Sequence, residues 1–251
     1  MKIILEKNEN TVNVPTNYYL VVDASGSMWG AVSELRKTIL AVAGLLNPND
    51  TITVGSFSSY GDYDFFIRGS KPDDKNLKKL IDARIGSRGL TCFTQSLESL
   101  PKIVEDVSTL TGNSNSAFYF LSDGYPNDRS PEKEVYALCE KLQNKFVACS
   151  IIGYGQYYGR TVLLEMAARI GGQFSHISDH IELEKTYASF VSNKKKVKPV
   201  TLDKKYDLVW QVVDNDILTY EQGKDLVVNV MDTEKESFLY AVTMDELKDL
   251  N

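Results

Sequence analysis

Three oxygen-bearing side chains, Asp23, Ser25 and Ser27, follow directly on the apolar run Tyr18 to Val22, in the stretch YYLVVDASGSM. A buried β-type run that stops at an aspartate and turns through two serines delivers those side chains to the carboxyl edge of a sheet, where open α/β folds hold their ligands. Oxygen donors of this kind suit a hard divalent cation. Hydroxyls contribute lone pairs without cancelling charge, so a bound Mg²⁺ would stay attractive to a carboxylate arriving from a partner. Taken alone, the same residues also fit an ordinary turn or helix cap.

Two further segments point to the same edge. Thr91 follows the Gly89-Leu90 turn and precedes a helical stretch that opens at Thr94-Gln95-Ser96-Leu97, while AFYFLSDG (117–124) reads as a second buried strand ending in Asp123. Spaced in this way, Asp23, Ser25, Ser27, Thr91 and Asp123 resemble the metal-ion-dependent adhesion site of the von Willebrand factor A domain. The resemblance covers roughly Asn17 to Asn193 and extends to segment order: TITVGSFS (51–58) is similar to that family's second core strand, FVACSIIGYG (146–155) to its late strand, and LLEMAARIGGQF (163–174) to its short helix with a Gly-Gly exit. Leu90 departs from the paired glycines often found before the threonine, which matters little because the hydroxyl of Thr91 is the ligand. The resemblance implies that Ser25, Ser27 and Thr91 touch the metal directly or through water, that Asp23 and Asp123 lie beside it, and that one position is left for water or for an Asp or Glu of a partner protein. An octahedral oxygen shell suits Mg²⁺ or Mn²⁺, and Ca²⁺ only if the loops relax to admit more ligands.

The elements that must position these residues alternate between strand and helix, which predicts an α/β fold: a Rossmann-like, doubly wound, mostly parallel sheet. Trp29 to Leu46 carries a helical apolar stripe closed by Asn47-Pro48, Asp64 to Arg68 reads as a short edge strand, and Asp74 to Ile85 as an amphipathic helix. Ser96 to Leu110 is helical, with Pro101 in its first turns or kinking it. Ser130-Pro131-Glu132 starts a helix with a capping serine that runs to about Asn144, and Ile181 to Val191 reads as a closing helix. From Tyr206 onward, short β-type runs without helices predict a small additional β-sandwich-like region, in which the strand-like N-terminal segment would pair with the C-terminal strands. The expected organisation is therefore an N-terminal strand segment (1–16), the α/β domain (17–193), a lysine-rich, proline-marked linker (194–200) and a C-terminal β-rich region (201–251).

Composition bounds the function. With 251 residues, 43% hydrophobic and 25% charged, the chain supports one sizeable core and an appendage. A net charge of −6 gives no reason to expect nucleic acid or an anionic membrane as partner. The N-terminal apolar run is too short for a signal peptide and no stretch reaches transmembrane length, so the expected location is cytoplasmic. Three scattered cysteines, Cys92, Cys139 and Cys149, imply neither a disulfide framework nor a zinc site.

The function expected from these readings is a metal-dependent protein–protein interaction module and not an enzyme. The alternative is a structural subunit of a multiprotein assembly, such as the stress- and phage-related systems in which the resembled family works. A metal-dependent phosphoryl-transfer enzyme is the remaining class. It would need a second carboxylate where Ser25 stands, no GxxxxGK[ST] loop is present, and no histidine pairs with a serine nucleophile. Trp29 and Tyr60 are candidate partner-binding aromatics if exposed. Asp62 and Asp64 read as a solvated acidic loop more readily than as a second cation site.

Overall fold

The computed structural model describes residues 2–5, 15–143, 145–155, 159–177, 185–186, 197–213, 216–220, 227–231 and 237–243. They divide into two compact units, one formed by Pro15–Lys194 and one by Met1–Val14 together with Lys195–Asn251. The smaller unit holds the first strand, β1 (Lys2–Leu5); the larger begins with β2 (Asn17–Asp23), whose seven residues are all buried.

The larger unit continues through α1 (Val32–Leu45), β3 (Thr51–Phe57), β4 (Tyr63–Ser70), α2 (Leu77–Arg84), α3 (Thr94–Thr111), β5 (Ser116–Ser122), α4 (Glu132–Lys141), β6 (Ala148–Tyr154), α5 (Arg160–Ile170) and β7 (Gln173–Ile177). Its six strands form one sheet in the order β4-β3-β2-β5-β6-β7, parallel except for the antiparallel edge strand β4. This is the doubly wound α/β architecture read from the alternation of elements.

Both faces of the sheet are covered, which explains why β2, β3 and β5 are buried at every position and not at alternate ones. On one face Tyr18, Leu20 and Val22 pack with Leu35, Ile39 and Val42 of α1 and with Leu77 and Ile81 of α2. On the other, Tyr19, Val21, Phe118 and Phe120 meet Leu97, Leu100 and Val107 of α3 and apolar side chains of α4 and α5. The helical residues recur at three- and four-residue intervals, the spacing that lines one face of an α-helix. Beneath the carboxyl edge, Phe57, Phe93 and Phe120 form a closed aromatic cluster: Phe57 and Phe120 stack with centroids 5.0 Å apart, and Phe93 meets them edge-on at 5.6 and 5.1 Å. At the opposite end of the sheet the buried Asn17 accepts the Thr51 hydroxyl at 2.6 Å and donates to the Asn113 carbonyl at 2.7 Å, fixing where β2 begins.

Pro101 lies inside α3, within its first half. Two details differ from expectation. Trp29 lies in a 3₁₀ turn, Gly26–Ala31, and the α-helix starts only at Val32. Ser130 does not cap the helix that follows it; its hydroxyl accepts the amides of Phe93 and Thr94 at 3.0 and 3.2 Å, closing the first turn of α3 instead. The expected closing helix, Ile181 to Val191, lies outside the described residues except for Lys185 and Thr186.

The smaller unit is all β. It contains β8 (Val197–Thr201), β9 (Leu208–Val213), β10 (Asp216–Tyr220), β11 (Val227–Met231) and β12 (Ser237–Val242). An antiparallel sheet has the order β1-β12-β9-β10, with Lys2 opposite Tyr240 and Leu5 opposite Ser237, and β8 pairs with β11 in a second, two-stranded sheet. Val197–Thr201 therefore carries strand structure in a stretch that composition reads as a linker.

Candidate metal centre

The sheet reverses its winding between β2 and β5. The chain leaving β2 enters α1 on one face, the chain leaving β5 enters α4 on the other, and a crevice opens between the two carboxyl ends. β2 stays in register with β3 up to Asp23 opposite Phe57, and the Ala24 amide still bonds the Phe57 carbonyl at 2.8 Å. The chain then turns because the Asp23 carboxylate accepts the Ser25 amide at 2.7 Å, an aspartate-capped turn that starts the 3₁₀ segment.

That turn places Ser25 Oγ and Ser27 Oγ 3.1 Å apart, and the Ser27 hydroxyl donates to Asp123 Oδ1 at 2.8 Å. The other oxygen of Asp23 accepts the Ser122 hydroxyl, and Ser122 Oγ in turn accepts the Gly124 amide at 3.1 Å. Asp23, Ser25, Ser27 and Asp123 thus form one hydrogen-bonded run across the crevice. Thr91 reaches it from a third loop: a Cβ built on Gly124 would stand 3.6 Å from Thr91 Oγ1 and 4.0 Å from Ser27 Oγ.

Thr91 is held by its backbone. Its amide donates to Asn127 Oδ1 at 2.9 Å, and its carbonyl accepts the amides of Asn127 and Asp128 at 2.9 and 3.1 Å. On the other side the loop is tied to the β2 turn by Arg88 N to the Ala24 carbonyl at 2.7 Å and Gly26 N to the Gly89 carbonyl at 3.1 Å. The Arg88 guanidinium clamps Asp62 through both carboxylate oxygens, at 2.6 and 3.0 Å, and Ser58 Oγ donates to the same carboxylate. These donors, the Arg88 hydrogen bond first, hold the Asp62 carboxyl below its ordinary range. Asp62 is therefore committed to an arginine, and Asp64 lies 3.6 Å from Arg84. Neither is arranged as an accessory cation site.

The electrostatics of the run fit a cation. Asp23 is wholly buried, and burial pushes its carboxyl up to about 6 against the lowering effect of the Ser122 and Ser25 hydrogen bonds; none of the groups acting on it is cationic. Burial raises Asp123 as well, against the Ser27 hydrogen bond. Two carboxylates and three hydroxyls without a lysine or arginine among them make a hard oxygen set that a divalent ion would neutralise. Among the described residues no group of three or more His, Cys, Asp or Glu is placed to hold a metal, so any such ion must rely on the hydroxyls.

Sequence reasoning overlooked Ser122, Arg88 and Asn127, and gave Ser130 to the wrong helix. Ser122 had a signal: it occupies the alternation position after Phe118 and Phe120, where a buried strand face turns from aromatic to small and polar. Of the two rim aromatics, Trp29 is 79% exposed. Tyr60 is half-exposed, with the Arg129 guanidinium 4.9 Å above its ring and its amide bonded to Asp128.

The first residue before α5 also touches this centre. A Cβ on Gly159 would fall 2.7 Å from the Gly124 carbonyl oxygen, so Gly159→Ala must displace the backbone next to Asp123. The expected result is a stability loss of about 1–3 kcal/mol in chemical denaturation. An unchanged denaturation midpoint would show that the Gly124 backbone gives way without cost.

No protein-family model matches the chain, and no curated protein matches it. Solved structures do. A von Willebrand factor type A protein from Catenulispora acidiphila superposes with a TM-score of 0.64 at 13% identity, over 90% of this chain and 57% of that one. Proximal thread matrix protein 1 from mussel byssus, with a zinc-occupied metal-ion-dependent adhesion motif, gives 0.55 at 18%, over 76% and 47%. A pilus adhesin from Lactobacillus rhamnosus GG gives 0.55 at 12%, over 90% and 39%. The chain thus has the von Willebrand factor A fold and spans about half the length of these proteins. None of the three is described as an enzyme.

The expectation of a cytoplasmic location is overturned by this company: byssus threads and pili are extracellular structures. The physical grounds for that expectation were weak. They were a short N-terminal apolar run and the lack of a transmembrane-length stretch, neither of which fixes a compartment. Among the described residues no helix is long and apolar enough to cross a membrane, which does not bear on compartment.

Proposed function

We propose that the chain is a binding module that captures an acidic side chain of a partner protein through a divalent cation held by Asp23, Ser25, Ser27, Thr91 and Asp123. The observation that carries this reading is the buried Asp23 carboxylate, joined through Ser25 and Ser27 to Asp123 with no cationic side chain in the run. The zinc-occupied motif of a protein with the same fold supports it. Ser25, Ser27 and Thr91 would hold the ion and the two aspartates would orient the hydroxyls and waters around it. Bound Mg²⁺ or Mn²⁺, with Ca²⁺ as a third option, supplies an electrophilic position that an Asp or Glu can complete.

The segment 17–193 is the binding unit in this reading, and 1–16 with 201–251 is the appendage. Binding is favoured over turnover because the proteins that share the fold include a thread matrix protein and a pilus adhesin.

Isothermal titration of the EDTA-stripped protein with Mg²⁺ and Mn²⁺ tests the reading. The native chain is expected to take up one equivalent, and Thr91→Ala and Asp123→Ala to lose about 10- to 100-fold in affinity. A native chain that takes up neither ion, or variants that bind as the native chain does, would remove the metal from the function.

A further inference from the structure

Of the large apolar side chains that the larger unit exposes among its described residues, Trp29 at 79%, Tyr125 at 54% and Leu90 at 53% stand within two residues of Ser27, Asp123 and Thr91, and Tyr60 at 48% is tied by its amide to Asp128. The other four, Leu45, Tyr63, Leu110 and Leu164, are scattered over α1, β4, α3 and α5. Trp29 stands two residues after Ser27, Leu90 immediately before Thr91, and Tyr125 two residues after Asp123. Each therefore starts from a different one of the three loops that meet at the centre.

Those loops are locked to one another. Gly26 N bonds the Gly89 carbonyl at 3.1 Å, which joins the Trp29 turn to the Leu90 turn, and Gly124, next to Tyr125, faces both Thr91 Oγ1 and Ser27 Oγ. In the 3₁₀ turn Met28 is buried while Ser27 and Trp29 on either side of it are exposed, so the turn that presents the Ser27 hydroxyl also leaves the indole open to a partner. Tyr60 is different. Its ring is spoken for by Arg129, and it borders the rim without belonging to it.

We propose that Trp29, Leu90 and Tyr125 form an apolar collar that selects the partner: a protein loop in which a single Asp or Glu is flanked by bulky apolar residues. This deepens the metal-dependent reading and rests on it. The ion accounts for one carboxylate, and exposed indole and phenol groups are the residue types enriched where interfaces hold most of their binding energy, with Leu90 adding apolar area beside them. Charge decides against the other acidic ligands. A chain with a net charge of −6 repels a polyacidic tail at long range, whereas a lone carboxylate in apolar surroundings meets the ion and the collar without that penalty.

The test uses the full chain loaded with Mn²⁺ and three synthetic loop peptides of equal length: a central Asp flanked by Leu and Phe, the same Asp flanked by serines, and an oligo-aspartate. The apolar-flanked peptide is expected to bind at least about tenfold tighter than either of the others, and to be released by EDTA. In Trp29→Ser combined with Tyr125→Ser, both exposed positions, Mn²⁺ uptake is expected to persist while the tenfold preference disappears. Equal binding of the three peptides to a Mn²⁺-loaded native chain overturns the collar and leaves the metal site standing, as does a double variant that keeps the preference. A native chain that takes up no Mn²⁺ overturns the metal reading and the collar with it.

Discussion

Asp23→Asn is expected to yield a folded protein that has lost divalent-ion uptake and is nevertheless more stable than the native chain at pH 7 in EDTA. Both effects come from the same burial. The carboxylate is wholly enclosed, and its protonation range is raised from the ordinary carboxylate value to about 6 by loss of water. The folded protein therefore holds a proton on Asp23 between about pH 4 and 6, where the unfolded chain has released it. Stability from this group is fully present below the unfolded value and is lost as pH rises through 6. The amount is on the order of 3 kcal/mol.

Asparagine keeps the acceptor for the Ser25 amide and can donate to Ser122, whose hydroxyl also accepts the Gly124 amide. It carries no charge to desolvate. Urea denaturation in EDTA at pH 4.5 and at pH 7.5 should show native stability falling relative to the variant across that interval. Adding Mg²⁺ at pH 7.5 should raise the native midpoint and leave the variant's unchanged, because a ligand stabilises only the state that binds it. A variant less stable than the native chain at pH 7.5 in EDTA would mean that another group offsets the Asp23 charge.

The second large effect is expected from Phe120→Ala. Phe120 is fully buried, stacked on Phe57 and edge-on to Phe93, and removal of such a side chain leaves a cavity that costs about 3–5 kcal/mol. The loss should also reach the metal centre, since the three rings lie under its three loops. Phe120 precedes Ser122 by two residues, Phe57 supplies the carbonyl that receives the Ala24 amide, and Phe93 follows Thr91 by two. Chemical denaturation reads the stability, and calorimetry at a temperature where the variant stays folded reads the ion affinity. Phe120→Leu should recover most of both. A cost under about 1 kcal/mol would show that the cluster collapses around the gap.

What could be read from the sequence and what could not divides along a physical line. β2 and β5 announce themselves because a fully covered parallel strand is apolar along most of its length, and each run breaks off at a carboxylate, Asp23 at the end of β2 and Asp123 just after β5. α1 and α3 follow from apolar residues at three- and four-residue spacing. The residues that position Thr91 gave no such signal. Arg88 and Asp62 lie 26 positions apart and meet only once β3, β4 and the loop after α2 are in place. Ser130 resembled the cap of its own helix, and local spacing does not reveal that its hydroxyl faces the amides of a helix that begins 36 residues earlier. Lysine-rich composition likewise hid β8, because strand pairing with β11 satisfies a backbone whatever the side chains are.

The pairing of β1 with β12 sets an order of events at the ribosome. Every strand of the six-stranded sheet emerges between these two partners, so that sheet can close while Lys2–Leu5 still waits for its neighbour. Long-range antiparallel pairing is slow to form, and the smaller unit is consequently the last part of the chain to assemble. A ribosome that stalls before Ser237 would leave β1 and β9 without the strand that pairs with both, an open edge of the kind that recruits other chains.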